Sequence, residues 1–463
     1  MDLGKILQFL PEVKKPLAKR LAFNKKLIWT GIILVVFFVL SYIPLFGLGQ
    51  NALDQFQHLS IILGAKFGSI ISLGIGPIVT GSIILQLLSG TGILGIDTTT
   101  QEGRIRFQAL QKIFTIFFIV FEAIVYVVMG GLAPSPQLMG TSIFYILEIM
   151  LIIQLIIGGY LIVLMSEVVD KWGFGSGVGL FIVAGVARQI MVRALNPLPS
   201  PTNPEIPVGR IPYLIKALGM GDPTGALIAA AAIISTIVVF VIVVYGQAMK
   251  VEIPLSFGRM RGHGIRWPLR FIYTSNIPVI LIAALMANIN LWARLLQNWG
   301  HPILGTFSGN IPASGFVKWI HSPNVINSII TGTANWTMAG QAIIYSLFMI
   351  GGAILFSVLW VKTANMDAGS QAKQILSSGL QVPGFRRDPR VLKSILNRYI
   401  PALTIMGGAF VGFLAAFADL GGALSRGTGI LLAVMIVYRM YEEIAKQHAF
   451  DMHPALRKFI AED

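Results

Sequence analysis

Ten stretches of this chain stay apolar for about 18 residues or longer, which fixes the medium before anything else is asked of the fold. They fall near 27–48, 70–89, 107–132, 141–165, 174–195, 225–249, 271–295, 338–361, 399–420 and 427–445. Helices of that length cross a hydrocarbon core ~30 Å thick, and only helices or closed barrels satisfy their own backbone groups there. With 55% apolar and only 12% charged residues, an ordinary soluble domain is excluded. The chain reads as an all-α integral membrane protein with ten transmembrane helices.

One segment breaks the pattern. Residues 52–63, just ahead of the second stretch, form an apolar run of twelve interrupted by Asp54, Gln55, Gln57 and His58. As a helix it reaches ~18 Å, too short to cross. A half-helix sits at membrane depth only inside protein or against a cavity. The sequence therefore points to a gated interior, with the second stretch following as a full-length span.

Charge then sets orientation. The net charge is +15, and with the N-terminus in the cytosol 27 of the 35 Lys and Arg residues fall on that side. The basic clusters are the N-terminal arm 1–26, the loops 250–270 and 362–398, and the tail 446–463. Both termini are expected in the cytosol. No small-residue cleavage site follows the first apolar run, so no cleaved signal peptide is read. Both loops contain prolines and glycines, and neither reads as a simple amphipathic surface helix. The proline-rich stretch 196–212 divides the spans five and five, into an N-terminal half 27–200 and a C-terminal half 201–445. Five spans per half would give the halves opposite orientation, although no residue-level repeat stands out.

Catalytic chemistry finds little support. None of the six histidines lies in a span and there is no cysteine, so neither an intramembrane metal site nor a histidine-assisted nucleophile is predicted. GFGSGVG at 173–179 lacks the preceding strand and following lysine of a phosphate loop, and its glycines read better as close helix contacts. Glu122 and Glu148 lie within apolar runs, where a charge costs ~2.5–3.5 kcal/mol. Each must face protein or water, or be protonated. A helix–helix hydrogen bond and a role in an ion-coupled transporter are both open on these letters alone.

LGIGPIVTGSIILQLL (73–88), GFGSGVGLFI (173–182), IPLSFGRMRG (253–262), YTSNIPVIL (273–281), LNRYIP (396–401) and GTGILLAVMIVYRMYE (427–442) resemble the SecY family, in its archaeal-type branch. The resemblance touches both halves. It implies two inverted five-helix halves around a central pore in the cytoplasmic membrane, opening sideways to lipid. The expected activity is passive conduction of secretory polypeptides and lateral release of transmembrane segments, with no cofactor and no catalytic site. A secondary transporter for a small solute is the alternative that broken helices and inverted halves would also suit.

The resemblance also assigns residues. A plug is implied at about 52–63, with Leu53, Phe56, Leu59 and Leu63 as its apolar positions. An aliphatic pore ring is implied at Ile75, Val79, Val178, Ile182, Ile280 and Leu432, a polar cluster at the lateral gate at Thr80, Glu122 and Asn288, and ribosome docking at Arg259, Arg261, Arg386 and Arg387. The implied partners are a SecE-like gamma-type subunit, a small single-span beta subunit, a translating ribosome through its RNA, a signal-recognition receptor, signal sequences and nascent chains, and membrane lipid.

Overall fold

The apolar stretches fold as helices whose ends are set by capping residues and glycine turns. In chain order the elements are α1 (Phe23–Tyr42), α2 (Gly76–Gly90), α3 (Gln101–Val128), α4 (Ser142–Trp172), α5 (Gly177–Leu195), α6 (Arg210–Met220), α7 (Pro223–Ala248), β1 (Lys250–Phe257), β2 (Gly264–Arg270) and α8 (Ile277–Asn298). There follow β3 (Phe307–Ser308), β4 (Ile311–Pro312), α9 (Gly315–Trp319), α10 (Val325–Ile330), α11 (Trp336–Thr363), α12 (Ala368–Ser377), β5 (Leu380–Gln381), α13 (Pro389–Leu420) and α14 (Gly427–Met452). This computed structural model describes residues 12–17, 21–49, 68–90, 93–95, 100–128, 130–200, 205–257, 264–274, 277–298, 300–308, 311–382 and 388–452. Two compact units are present, one of Met1–Leu85, Ile96–Ala229 and Ile436–Asp463, the other of Gln86–Gly95 and Ala230–Met435.

In the first unit α1, α4 and α5 share a core of Ile33, Phe37, Ile162, Val169, Leu180 and Phe181. The Phe37 and Phe181 rings stack at 4.6 Å, an arrangement worth ~0.5–1.5 kcal/mol beyond its buried area. A second core joins Ile119, Ala123 and Val127 of α3 to Leu151 and Leu155 of α4. The opposite face of α4 leaves Ile146, Ile149, Ile153 and Ile157 exposed. Their helical spacing makes a continuous apolar stripe, which hydrocarbon accommodates at no cost. Thr141 starts this helix by accepting the Phe144 N–H at 3.3 Å.

The second apolar stretch departs from expectation. It is not a full-length span over 70–89: residues 68–75 are turns, and α2 runs only from Gly76 to Gly90. The cause is local bonding that hydropathy does not register. Leu45 donates to the Gly68 carbonyl at 2.9 Å and Ile70 donates to the Ile43 carbonyl at 3.0 Å, so this backbone is committed to the end of α1. Gly68 and Gly74, at φ +85° and +57°, then turn the chain into the helix. The half-helix expected at 52–63 lies outside the described residues.

In the second unit, β1 and β2 form an antiparallel hairpin with Lys250 opposite Arg270 and Ser256 opposite Gly264. β5 adds to its free edge, Ser256 pairing with Gln381. One face of this sheet, through Ile253, Leu255 and Leu269, packs on Ala372 and Ile375 of α12 and on Leu392, Leu396 and Ile400 of α13. The loop 362–398 is thus more than a simple surface helix: it holds a short amphipathic helix, a strand and the start of α13. The apolar face of α12 is Ala368, Ala372 and Ile375, at positions one and two turns apart, and Asp367 caps it by accepting the N–H groups of Gly369 and Ser370. Burial works to raise the Asp367 carboxyl, but those bonds and the Ser370 hydroxyl outweigh it and hold the group below its ordinary range.

α13 is deeply enclosed along its length, with Leu403, Gly407, Gly408, Val411, Gly412, Leu414, Ala415 and Ala416 all buried. Small residues let neighbouring backbones close in, which is how helices associate where lipid supplies no hydrophobic drive. α14 continues to Met452, beyond the apolar run that ends near 445. Its second half carries Arg439, Glu442 and Glu443, charges that belong outside the hydrocarbon.

Candidate functional site

Each ring position can be placed within its own unit. In the first unit Ile75 is the last residue before α2, and its carbonyl accepts the Val79 N–H at 3.1 Å. That bond closes the first helical turn, so Ile75 and Val79 share one face although only Val79 is helical. Val178 and Ile182 likewise stand one turn apart on α5, both half-buried, while neighbouring Leu180 and Phe181 turn into the core. In the second unit Ile280 is half-buried on α8 and Leu432 is buried on α14. All six offer hydrocarbon and no hydrogen-bonding group.

The structure brings Thr80 and Glu122 together. The Thr80 hydroxyl donates to Glu122 Oε1 at 3.4 Å, linking α2 to α3. Gly76 makes this possible, since a Cβ there would lie 3.2 Å from Glu122 Oε2. The carboxylate thus lies beside the first turn of α2, at the end of the helix whose dipole favours negative charge. Asn288 is half-buried on α8, in the second unit. Glu148 is half-buried on α4.

The proposed plug positions Leu53, Phe56, Leu59 and Leu63 lie outside the described residues, as do Arg259, Arg261, Arg386 and Arg387. The elements flanking those arginines are described. In the chain Arg259 and Arg261 fall between β1 and β2, and Arg386 and Arg387 between β5 and α13; the described strands β1, β2 and β5 form one three-stranded sheet.

Several polar groups escaped the sequence reading. Asp419, near the end of α13, accepts the Tyr345 hydroxyl at 2.5 Å and the Gly427 N–H at 2.6 Å. Asp170, near the end of α4, accepts the Gly177 N–H at 2.8 Å. Arg188 on α5 donates to the Ser41 hydroxyl at 2.8 Å and lies over the Tyr42 ring at 4.5 Å. Each was visible as an ionisable letter in or beside an apolar run. Nothing in the letters gave its partner.

At this same end of α4 the N-terminal arm is tied down. Lys171 reaches Glu12 at 2.6 Å and the Val13 carbonyl at 2.6 Å, Lys112 of α3 pairs with Glu167 at 2.7 Å, and the Trp172 indole donates to the Lys14 carbonyl at 2.9 Å. The hydrogen bond from Lys171 holds the Glu12 carboxyl below its usual range, against a smaller opposing effect of burial.

A family profile described as SecY matches residues 69–441, and one described as the plug domain of Sec61p matches residues 35–68. The protein translocase subunit SecY of Methanothermobacter thermautotrophicus is 47% identical over 462 residues, covering 99% of this chain and 98% of that protein. A solved structure described as a protein-conducting channel superposes with a TM-score of 0.81 at 40% identity, covering 98% of this chain and 99% of that one. Sec61 in a canine ribosome–channel complex superposes with a TM-score of 0.80 at 38% identity, covering 98% and 99%.

Proposed function

The chain belongs to the SecY family, and from that we propose that it is the central subunit of a protein-conducting channel, passing secretory polypeptides across a membrane and releasing transmembrane segments sideways into lipid. The observation that carries this reading is similarity over essentially the whole chain to protein translocase subunits and to a solved protein-conducting channel. A partial match could reflect a shared fold fragment. Agreement across both units leaves a small-solute transporter without support.

The chemistry of the proposed residues suits the task. A seal made of aliphatic tips at Ile75, Val79, Val178, Ile182, Ile280 and Leu432 gives a passing chain no hydrogen-bond partner, so it can close on any sequence while dewetting excludes ions. The bond between Thr80 and Glu122 joins α2 to α3, the helices proposed to flank the lateral gate; Asn288 is proposed as the third member of that cluster. Bonds of this kind contribute ~0.6–2 kcal/mol each, enough to bias a gate and weak enough for an apolar signal helix to displace. The channel has no catalytic site of its own and takes its energy from partners.

The arginines 259, 261, 386 and 387 suit the phosphates of ribosomal RNA, in keeping with the ribosome-bound relative. A SecE-like gamma-type subunit, a small single-span beta subunit and a signal-recognition receptor complete the proposed assembly, in the cell membrane with both termini cytosolic. Reconstituted proteoliposomes test the reading. They should take up a secretory precursor only when it carries its signal sequence, and deletion of residues 53–63 should raise ion conductance in planar bilayers. Absence of precursor uptake with active partners present would overturn the function; unchanged conductance would overturn the plug alone.

A further inference from the structure

Two glycine pairs and two aspartates stand in one frame. On α4, Gly158 and Gly159 precede Asp170 by twelve and eleven residues, and Gly177-Val178-Gly179 opens α5. On α13, Gly407 and Gly408 precede Asp419 by twelve and eleven residues, and Gly427-Thr428-Gly429 opens α14. The packing repeats with the letters. A side chain at Gly158 would collide with the Ile70 carbonyl just ahead of α2, and one at Gly407 would lie 2.7 Å from the Phe271 carbonyl just ahead of α8. Gly159 faces Ile119 of α3, and Gly408 faces Ser357 of α11.

The aspartates act alike within their units. Asp170 Oδ1 accepts the Gly177 N–H at 2.8 Å, and Asp419 Oδ1 accepts the Gly427 N–H at 2.6 Å. A helix is ordinarily capped by the residue just before it. At α5 that residue is Ser176, which makes no capping bond, and at α14 it is Arg426, whose side chain has no acceptor. The first turn of each helix is therefore fastened by a carboxylate of the helix before. Five residues past each fastened glycine stand Ile182 and Leu432.

We propose that Asp170 and Asp419 are positioning residues for the seal: each fixes the depth and rotation of a helix that carries a ring residue. This rests on the ring assignment made above. The leverage is geometric. A slip of one residue turns a helical side chain through ~100° and shifts it ~1.5 Å, enough to take an aliphatic tip off the seal. The carboxylate also favours the positive end of the helix it holds.

The test uses the full chain with its co-purifying subunits in planar bilayers, reading resting ion conductance. Asp419→Ala should raise it at least about tenfold and Asp170→Ala, at its exposed position, about three- to fivefold, the changes in closed-to-open ratio expected for the hydrogen bonds each loses. Asp170→Asn and Asp419→Asn, which keep an oxygen acceptor, should stay within about twofold of the parent at equal folded yield, a rescue that loss of fold would not show. An Ile182→Gly, Leu432→Gly double variant serves as the control for the ring and should leak. Alanine variants that seal normally while this control leaks overturn the proposal and leave the ring standing. Asparagine variants that leak as much as alanine also overturn it. A control that does not leak overturns the ring, and the positioning role with it.

Discussion

α4 and α13 share a frame of small residues and a terminal aspartate, yet they end in different surroundings. Asp419 is half-buried and holds both the Gly427 N–H and the hydroxyl of buried Tyr345. Asp170 is exposed, and the Gly177 N–H is its hydrogen bond, with the charges of Glu167 and Lys171 close by on the same helix. The same carboxylate is thus a half-buried, two-bond node in one unit and a surface clasp in the other. The difference shows that a repeated device can keep its geometry while its energy changes with access to water.

The largest effects should come from the glycines. Gly158→Leu and Gly407→Leu each force a side chain onto a backbone carbonyl and should cost ~3 kcal/mol or more, seen as lost folded yield in detergent. The approach at Gly158 is the tighter, so Gly158→Ala should be worse than Gly407→Ala in thermal unfolding; the reverse order would break the parallel between the two helices. Next come the carboxylates. Asp419→Ala leaves the Tyr345 hydroxyl and the Gly427 N–H unpaired, for a loss of ~2–3 kcal/mol, whereas Asp170→Ala at an exposed position should lose under ~1 kcal/mol. Equal shifts in melting temperature would remove the distinction between node and clasp.

Tyr345→Phe should fall between them, at ~1 kcal/mol, because it removes one partner and leaves the Gly427 cap in place. The smallest effect belongs to the arm. Since the Glu12 carboxyl is held below its ordinary value of 4.5, the contribution of its pairing with Lys171 is present above that value and is lost as pH falls through the depressed one. Glu12 is half-exposed, so screening keeps the stability change under ~1 kcal/mol. Limited proteolysis of residues 12–17 should speed up below about pH 4.5 and in high salt. An arm whose cleavage ignores both would owe nothing to this pairing.

Much of the fold was legible because hydrocarbon imposes a length and a composition on anything that crosses it. The apolar stretches, the basic loops and the anomaly of Glu122 all followed from that constraint. The shortness of α2 did not, because Ile70 and Leu45 are as apolar as any span residue, and it is their backbone bonds, with the turns at Gly68 and Gly74, that stop the helix. The α12 helix was hidden by the glycines and prolines around it. The frame shared by α4 and α13 was present in the letters, but glycine and alanine are common in spans. It gains meaning only when Gly158 and Gly407 are seen against the carbonyls of Ile70 and Phe271. The partners of Asp419 and Arg188 depend on tertiary contact, which periodicity does not encode.

The three-stranded sheet has a mechanical consequence. Because β1, β2 and β5 are hydrogen-bonded together and packed on the base of α13, the loops 250–270 and 362–398 form a single handle. A pull on either is a pull on both. The shaft of that handle is one helix of 32 residues, ~48 Å long, with Pro401 as a missing rung. Its far end is the turn where Asp419 grips the next helix, so work that the sheet passes into α13 reaches that turn along a single element.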